Sequence, residues 1–107
     1  MEFGICIPHY GKPIEIDRML GIASRAEDMG FASVWVTDRL LVPRTLNIIY
    51  RDNMLEPIAL LSHLAAVVSR ARLGTSVIIL LYRSPIVVAK MLATMETFMD
   101  RIAPQLA

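Results

Sequence analysis

The stretch GTSVIILLY, residues 74–82, decides how this chain is read: a nearly unbroken β-branched and aliphatic run that opens on small residues and closes at Arg83, Ser84 and Pro85. Such a run fits a strand buried on both faces, and the Ser-Pro step after it starts a helix, with serine as the cap and proline in the first turn. A strand handed directly to a helix is one unit of a parallel α/β architecture. In these architectures ligands bind beyond the carboxyl ends of the strands, so this junction marks the rim where a site is expected.

Two more such units lie upstream. Residues Glu2 to Ile7, closed by Pro8, read as a first strand. Ile16, Met19, Leu20, Ala23, Ala26 and Met29 then recur at helical spacing, with Asp17, Arg18, Arg25, Glu27 and Asp28 on the other face. Gly30 stands where a helix ends in a left-handed residue. Ser33 to Thr37 reads as the second strand, and Pro57 opens a second helix through Ser69 with Ile58, Leu61, Leu64, Ala65 and Val68 as its apolar stripe. The third strand is expected over Leu73 to Leu81. The helix after Pro85 is expected to bury Ile86, Ala89, Leu92, Ala93 and Met99, opposite Lys90, Thr94 and Glu96.

Three successive βα units imply parallel strands joined by right-handed crossovers. Sequential strand order would place all three helices on one face and leave the other bare, as in an arc of a barrel. Order 2-1-3 would instead give a small doubly wound sheet covered on both faces. At 107 residues the chain is one domain at most, 55% hydrophobic, and a body of this size leaves excess apolar surface outside its core. That excess favours the bare-faced arc and calls for a partner.

Charge excludes several functions. The formal net charge is +1, with basic and acidic residues scattered, so there is no electrostatic footprint for nucleic acid or anionic lipid. The start, Met1-Glu2-Phe3, lacks a basic signal-peptide region, and no apolar run approaches the roughly 18 residues of a membrane span. The expectation is a cytoplasmic protein. Cys6 is the single cysteine and reads as small hydrophobic filler rather than a nucleophile. His9 and His63 lie far apart without further ligands at suitable spacing, so no metal site is expected.

The glycines at positions 4, 11, 21, 30 and 74 form no phosphate-cradling motif, and Ser62 beside His63 on a helix cannot form a nucleophile pair with it. Chemistry concentrates instead at the strand ends: Pro8, His9 and Tyr10; Thr37, Asp38 and Arg39; Tyr82 and Arg83. Asp38 with Arg39 reads either as a polar pair addressing a ligand or as the hydrophilic start of a loop. His9 reads as a capping or packing residue. The methionines and Trp35 read as core or wall. The connection from Asp38 to Leu55, some eighteen residues without periodicity, is far longer than a usual βα loop and reads as a lid or binding loop, or else as a solvated excursion held by Leu40, Leu41 and Tyr50 packing down.

Three segments carry a resemblance: FGICIPHYG near the start, AEDMGFASVWVTDRLLVP from Ala26, and MLEPIALLSHLAAVVSRARLGTSVIILLYRSPIVVAKMLATME from Met54 to Glu96. In this order they resemble the amino-terminal part of the luciferase-like monooxygenase family, flavin- and deazaflavin-dependent oxidoreductases built on a (β/α)8 barrel. The deazaflavin-dependent branch looks most similar. The resemblance implies that the chain is a parallel βαβαβα arc, the first three units of a TIM-type barrel, with residues 1–107 forming one incomplete barrel domain. It implies a non-proline cis peptide between Ser76 and Val77, with Thr75, Ser76 and Val77 supporting the cofactor ring, FMN or the deazaflavin coenzyme F420. It also implies that Asp38 and Arg39 form the catalytic rim. Relatives commonly carry an Asp-His pair there; a guanidinium does not give up its proton near neutrality, so Arg39 supplies charge rather than acid or base chemistry.

Leu81 replaces a proline often found in relatives, and after Thr97 the sequence does not continue into their glycine-glycine-arginine turn. The family's phosphate-binding loops belong to later βα units. On this reading the chain is an amino-terminal segment, inactive as isolated. The alternatives are a non-catalytic half-barrel module that pairs with another copy, as a homo-oligomer, or with a complementary barrel fragment, and a truncated gene product.

Overall fold

The computed structural model describes residues 1–11, 15–41, 43–46 and 54–102. Strands β1 (Gly4–Cys6), β2 (Ser33–Val36) and β3 (Arg72–Thr75) alternate with helices α1 (Ile16–Asp28), α2 (Pro57–Leu64) and α3 (Pro85–Thr97). The strands pair in parallel in the order β1-β2-β3, with Cys6 opposite Trp35 and Trp35 opposite Gly74. Sequential order selects the arc over the doubly wound sheet. Short turns at Arg44–Leu46 and Phe98–Ile102 complete the described elements.

Alternation along the strands sorts the side chains. Ile5, Val34, Val36 and Leu73 pack with Met19, Ala23, Ile58, Leu61, Leu64, Val88 and Met95 in one cluster between sheet and helices. The opposite face carries Gly4, Cys6, Trp35 and Gly74, and there Cys6 and Trp35 are exposed among the described residues. Cys6 therefore corrects the expectation of core filler, because its odd register with Ile5 and Ile7 turns it to the open face. The indole of Trp35 lies across that face: its Nε1–H donates to Ser33 Oγ at 2.8 Å, and a Cβ on Gly4 or Gly74 would come within 2.5 or 2.6 Å of its ring. Only glycine lets the ring lie there.

Local signals set most helix ends. Gly30 has φ 88° and, with Phe31, returns its amide to the last turn of α1, as a terminating glycine does. Glu56 caps α2 through Oε2, which accepts the Ala59 amide at 2.7 Å, and Pro57 fills the first turn. Ser84 precedes α3 but makes no side-chain capping bond. The expected buried face of α3 is also corrected. Val88 and Met95 are buried, whereas Ile86 is 82% and Leu92 45% exposed, because α3 packs along one edge against α2 and no described element covers its remaining apolar side.

Two boundaries fall short of the sequence expectation. The α2 helix ends at Leu64 rather than Ser69: the amides of Ala66 and Val67 bond only three residues back, to His63 O and Leu64 O, and those of Ser69, Arg70 and Ala71 then turn to one acceptor, Glu27 Oε1, at 2.9 Å for Ser69 and 2.7 Å for Ala71. Glu27 was expected on the exposed face of α1 and is instead 8% exposed. Strand β3 stops at Thr75 rather than Leu81. Ser76 still donates to Val36 O at 2.8 Å, but the Ile79 amide goes to the carboxylate of Asp38. Of the expected lid from Asp38 to Leu55, residues 42 and 47–53 lie outside the described residues.

Candidate functional site

The rim at the carboxyl ends of the strands is tied together from beneath by His9. Its ring is fully buried; Nε2–H donates to Thr37 O at 2.8 Å, and Nδ1 lies 3.2 Å from Ile7 O. The imidazole thereby fixes the end of β1 to the end of β2, which is the packing role expected from the sequence. Tyr10 stands edge-on to it, with ring centroids 6.0 Å apart, and pairs with Met54 in an isolated antiparallel bridge.

Asp38 is the centre of the polar rim. Its side chain is only 2% exposed. Oδ2 accepts the Ile79 amide at 2.8 Å and Arg83 Nη2 at 2.7 Å, while Oδ1 accepts the Tyr82 hydroxyl at 2.8 Å. Arg83 Nη1 donates to Glu56 Oε1 at 2.6 Å, its Nη2 also reaches the Tyr82 oxygen at 2.8 Å, and its guanidinium carbon lies 4.6 Å from the Tyr82 ring centre. One cation thus joins the end of β2, the segment after β3 and the cap of α2. Ionised donors and acceptors in such forks make the stronger class of hydrogen bond.

This environment sets the charges. Burial alone would raise the Asp38 carboxyl, but the hydrogen bonds from Arg83, the Ile79 amide and Tyr82 outweigh it and hold the group below its ordinary value. Burial and the facing carboxylate of Asp38 push the Tyr82 phenol up. Burial opposes the charge on Arg83, yet Asp38 and Glu56 together more than offset that and strengthen it. The cluster is therefore charged at neutral pH, with each Asp38 oxygen already engaged, while the buried Arg83 Nε is left without a hydrogen-bond partner.

The residues singled out from the sequence fall into two groups. Thr75 ends β3 half-buried; Ser76 and Val77 follow it exposed on the rim, and the peptide between them is cis, at the bond the resemblance singled out. Asp38 and Arg39 follow β2, on the same rim. The cation that meets Asp38, however, is Arg83, from the next strand end. Glu56 belongs to the cluster as well. Its signal in the sequence was its place before Pro57, which reads as a helix cap and says nothing of a second oxygen free for Arg83.

Ser76 and Val77 are both exposed at this step, next to the half-buried Thr75. The positive-φ glycines among the described residues are Gly11 and Gly30, and Gly30 ends α1. A cavity of about 890 Å³ lies elsewhere, along the free edge of β3, lined by Leu73, Thr75, Val88, Leu92, Met95 and Met99 among others. Among the described residues no cluster of His, Cys, Asp and Glu is placed to hold a metal, and no helix is long and apolar enough to cross a membrane.

A parallel βα arc in sequential strand order, with its polar cluster on the carboxyl rim, is the architecture of the opening units of a (β/α) barrel. Comparison with known proteins agrees. The sequence model described as luciferase-like monooxygenase matches residues 1–100, and the chain belongs to that family. Among solved structures, the coenzyme F420-dependent tetrahydromethanopterin reductase from Methanopyrus kandleri superposes with a TM-score of 0.66 at 26% identity, over 92% of this chain and 24% of that one. The chain therefore spans about a quarter of that relative's length. No curated protein sequence matches it.

Proposed function

We propose that this chain forms the ring-binding quarter of a flavin- or deazaflavin-dependent oxidoreductase, with Thr75, Ser76 and Val77 supporting the ring and Asp38 and Arg39 on the polar rim beside ring or substrate. The observation that carries this reading is the exposed Ser76-Val77 step on the rim of a chain matched along its length by a coenzyme F420-dependent reductase. When bound, the cofactor supplies hydride transfer or oxygen activation, and the protein supplies orientation. Arg39 would contribute fixed positive charge at the ring edge. The described residues offer a ring face without a phosphate anchor, so the isolated chain should hold FMN or coenzyme F420 weakly and turn over negligibly. Titration of both cofactors, with absorbance and dialysis as readouts, tests this. A tight one-to-one complex, or turnover with reduced flavin comparable to a full-length relative, would overturn it.

A second reading, an association module, is favoured by the apolar surface that no described element covers: the β3-edge cavity together with exposed Leu81, Ile86 and Met91. A second copy, or further βα units of a complementary fragment, would bury it. Light scattering on the purified chain decides, since a monomer that binds no hydrophobic dye counts against this reading.

A further inference from the structure

We infer that Asp38 is a positioning residue: through Ile79, Tyr82 and Arg83 it holds the segment after β3, which carries Ser76 and Val77, against the end of β2. This rests on the reading of Ser76 and Val77 as the ring face. The segment has left the sheet after Ser76, so its backbone has no strand partner to define its path. Asp38 supplies that definition. Its two oxygens take one backbone amide and two side chains of the segment at 2.7 to 2.8 Å, and the side chain is 2% exposed.

The chemistry of the cluster separates holding from proton transfer. A carboxylate that accepts an amide, a phenol and a guanidinium, and whose proton affinity is thereby reduced, is poorly placed to accept a proton from a ligand. Arg83 extends the hold: its second nitrogen reaches Glu56, so the segment is fastened to the cap of α2 as well as to β2. Asp38 and Arg83 lie 45 residues apart, and the fastening exists only when the β2 and β3 ends are side by side. The β3 ladder holds the ring face as far as the Ser76 amide, and beyond it the path is set by the neighbouring strand through the side chain of Asp38.

Residue-resolved amide exchange on the whole chain tests this, for the unmodified protein, Asp38→Asn and Arg83→Met, each with and without millimolar FMN. The expected result is an exchange rate at Ile79 and its neighbours raised at least about tenfold in Asp38→Asn, the loss expected for one charge-assisted hydrogen bond, with the amides of β2 and α2 unchanged. FMN should protect residues 76–79 in the unmodified chain and protect them several-fold less in either variant. Arg83→Met leaves Asp38 its amide and phenol partners, so it is a second folded test of the hold, and it should loosen Tyr82 more than Ile79. Unchanged exchange from Ile79 to Arg83 in both variants overturns the positioning role whatever FMN does. Local loosening in the variants with no FMN protection in the parent would support the hold and sink the ring-face reading instead.

Discussion

Two buried carboxylates hold the two ends of β3, and they do so with different partners. Before the strand, Glu27 gathers the three consecutive amides of Ser69, Arg70 and Ala71 on one oxygen. After it, Asp38 takes one amide and two side chains, one of them a cation. The first arrangement is written in backbone donors, whose position follows from the chain path and which cannot be titrated. The second depends on the side chains of Arg83 and Tyr82, so it responds to substitution of either residue and to anything that competes for those groups. This division matches the general asymmetry of parallel βα barrels, in which the amino end of the strands carries stability and the carboxyl end carries chemistry.

Removing the carboxylates one at a time is the most direct way to break that contrast. Glu27→Ala should cost the most, about 4 kcal/mol, because three amides lose a charged acceptor together; at the marginal stability of so small a domain, urea titration should show a chain largely unfolded. A loss below about 1 kcal/mol would show that water serves those amides equally well. Asp38→Asn keeps the shape and one acceptor, and Arg83 retains Glu56, so the expected loss at neutral pH is smaller, about 1.5 kcal/mol.

The pH dependence sharpens the contrast further. Because the folded chain holds the Asp38 carboxyl below its ordinary value, its contribution is complete above the unfolded aspartate value of about 4 and is lost as the pH falls through the folded value. Urea midpoints for the unmodified chain and Asp38→Asn should accordingly converge on acidification below about pH 4. Midpoints that stay equally far apart there would mean that charge at Asp38 is not what matters.

Between the two ends, Gly74→Ala probes the open face. The new Cβ would meet the Trp35 ring at 2.6 Å, and the half-exposed indole can swing outward, so about 1 kcal/mol should be lost along with a red shift in emission from this single tryptophan. An unshifted spectrum would show that the ring does not lie where it is described. The smallest effect is expected at the Arg70–Asp28 pair, next to the Glu27 turn but with both side chains more than 60% exposed. Asp28→Ala should change stability by less than about 0.5 kcal/mol, which would confine the hold at this end to Glu27.

Much of the fold is legible in the residues themselves. The apolar stripe of α2, the terminating Gly30 and the Glu56-Pro57 start are local features, and each appears where the spacing places it. The rim is legible too, because parallel strands bring Asp38, Tyr82 and Arg83 to one end whatever the details of packing. What local patterns misjudge is anything decided by a distant neighbour. Glu27 sits on the helical face that periodicity marks as solvated, yet it is buried because three amides some forty residues later have no other acceptor. Cys6 and Trp35 lie in apolar runs but face outward, since burial on that side needs a covering layer that the described residues do not include. Arg39 adjoins Asp38 in sequence, whereas the cation that meets Asp38 comes from Arg83.

By itself the sequence determined three parallel βα units, the faces of α1 and α2 that meet the sheet, and the rim that gathers the polar residues, because these follow from periodicity, caps and chain direction. Tertiary structure decided the strand order, the point where α2 ends, the point where β3 ends and the partner of Asp38. For the turn after α2, the end of β3 and the partner of Asp38 the reason is the same. A buried carboxylate takes whichever donors the folded backbone delivers to it, and in this chain those donors lie 41 to 45 residues away, beyond the reach of any local pattern.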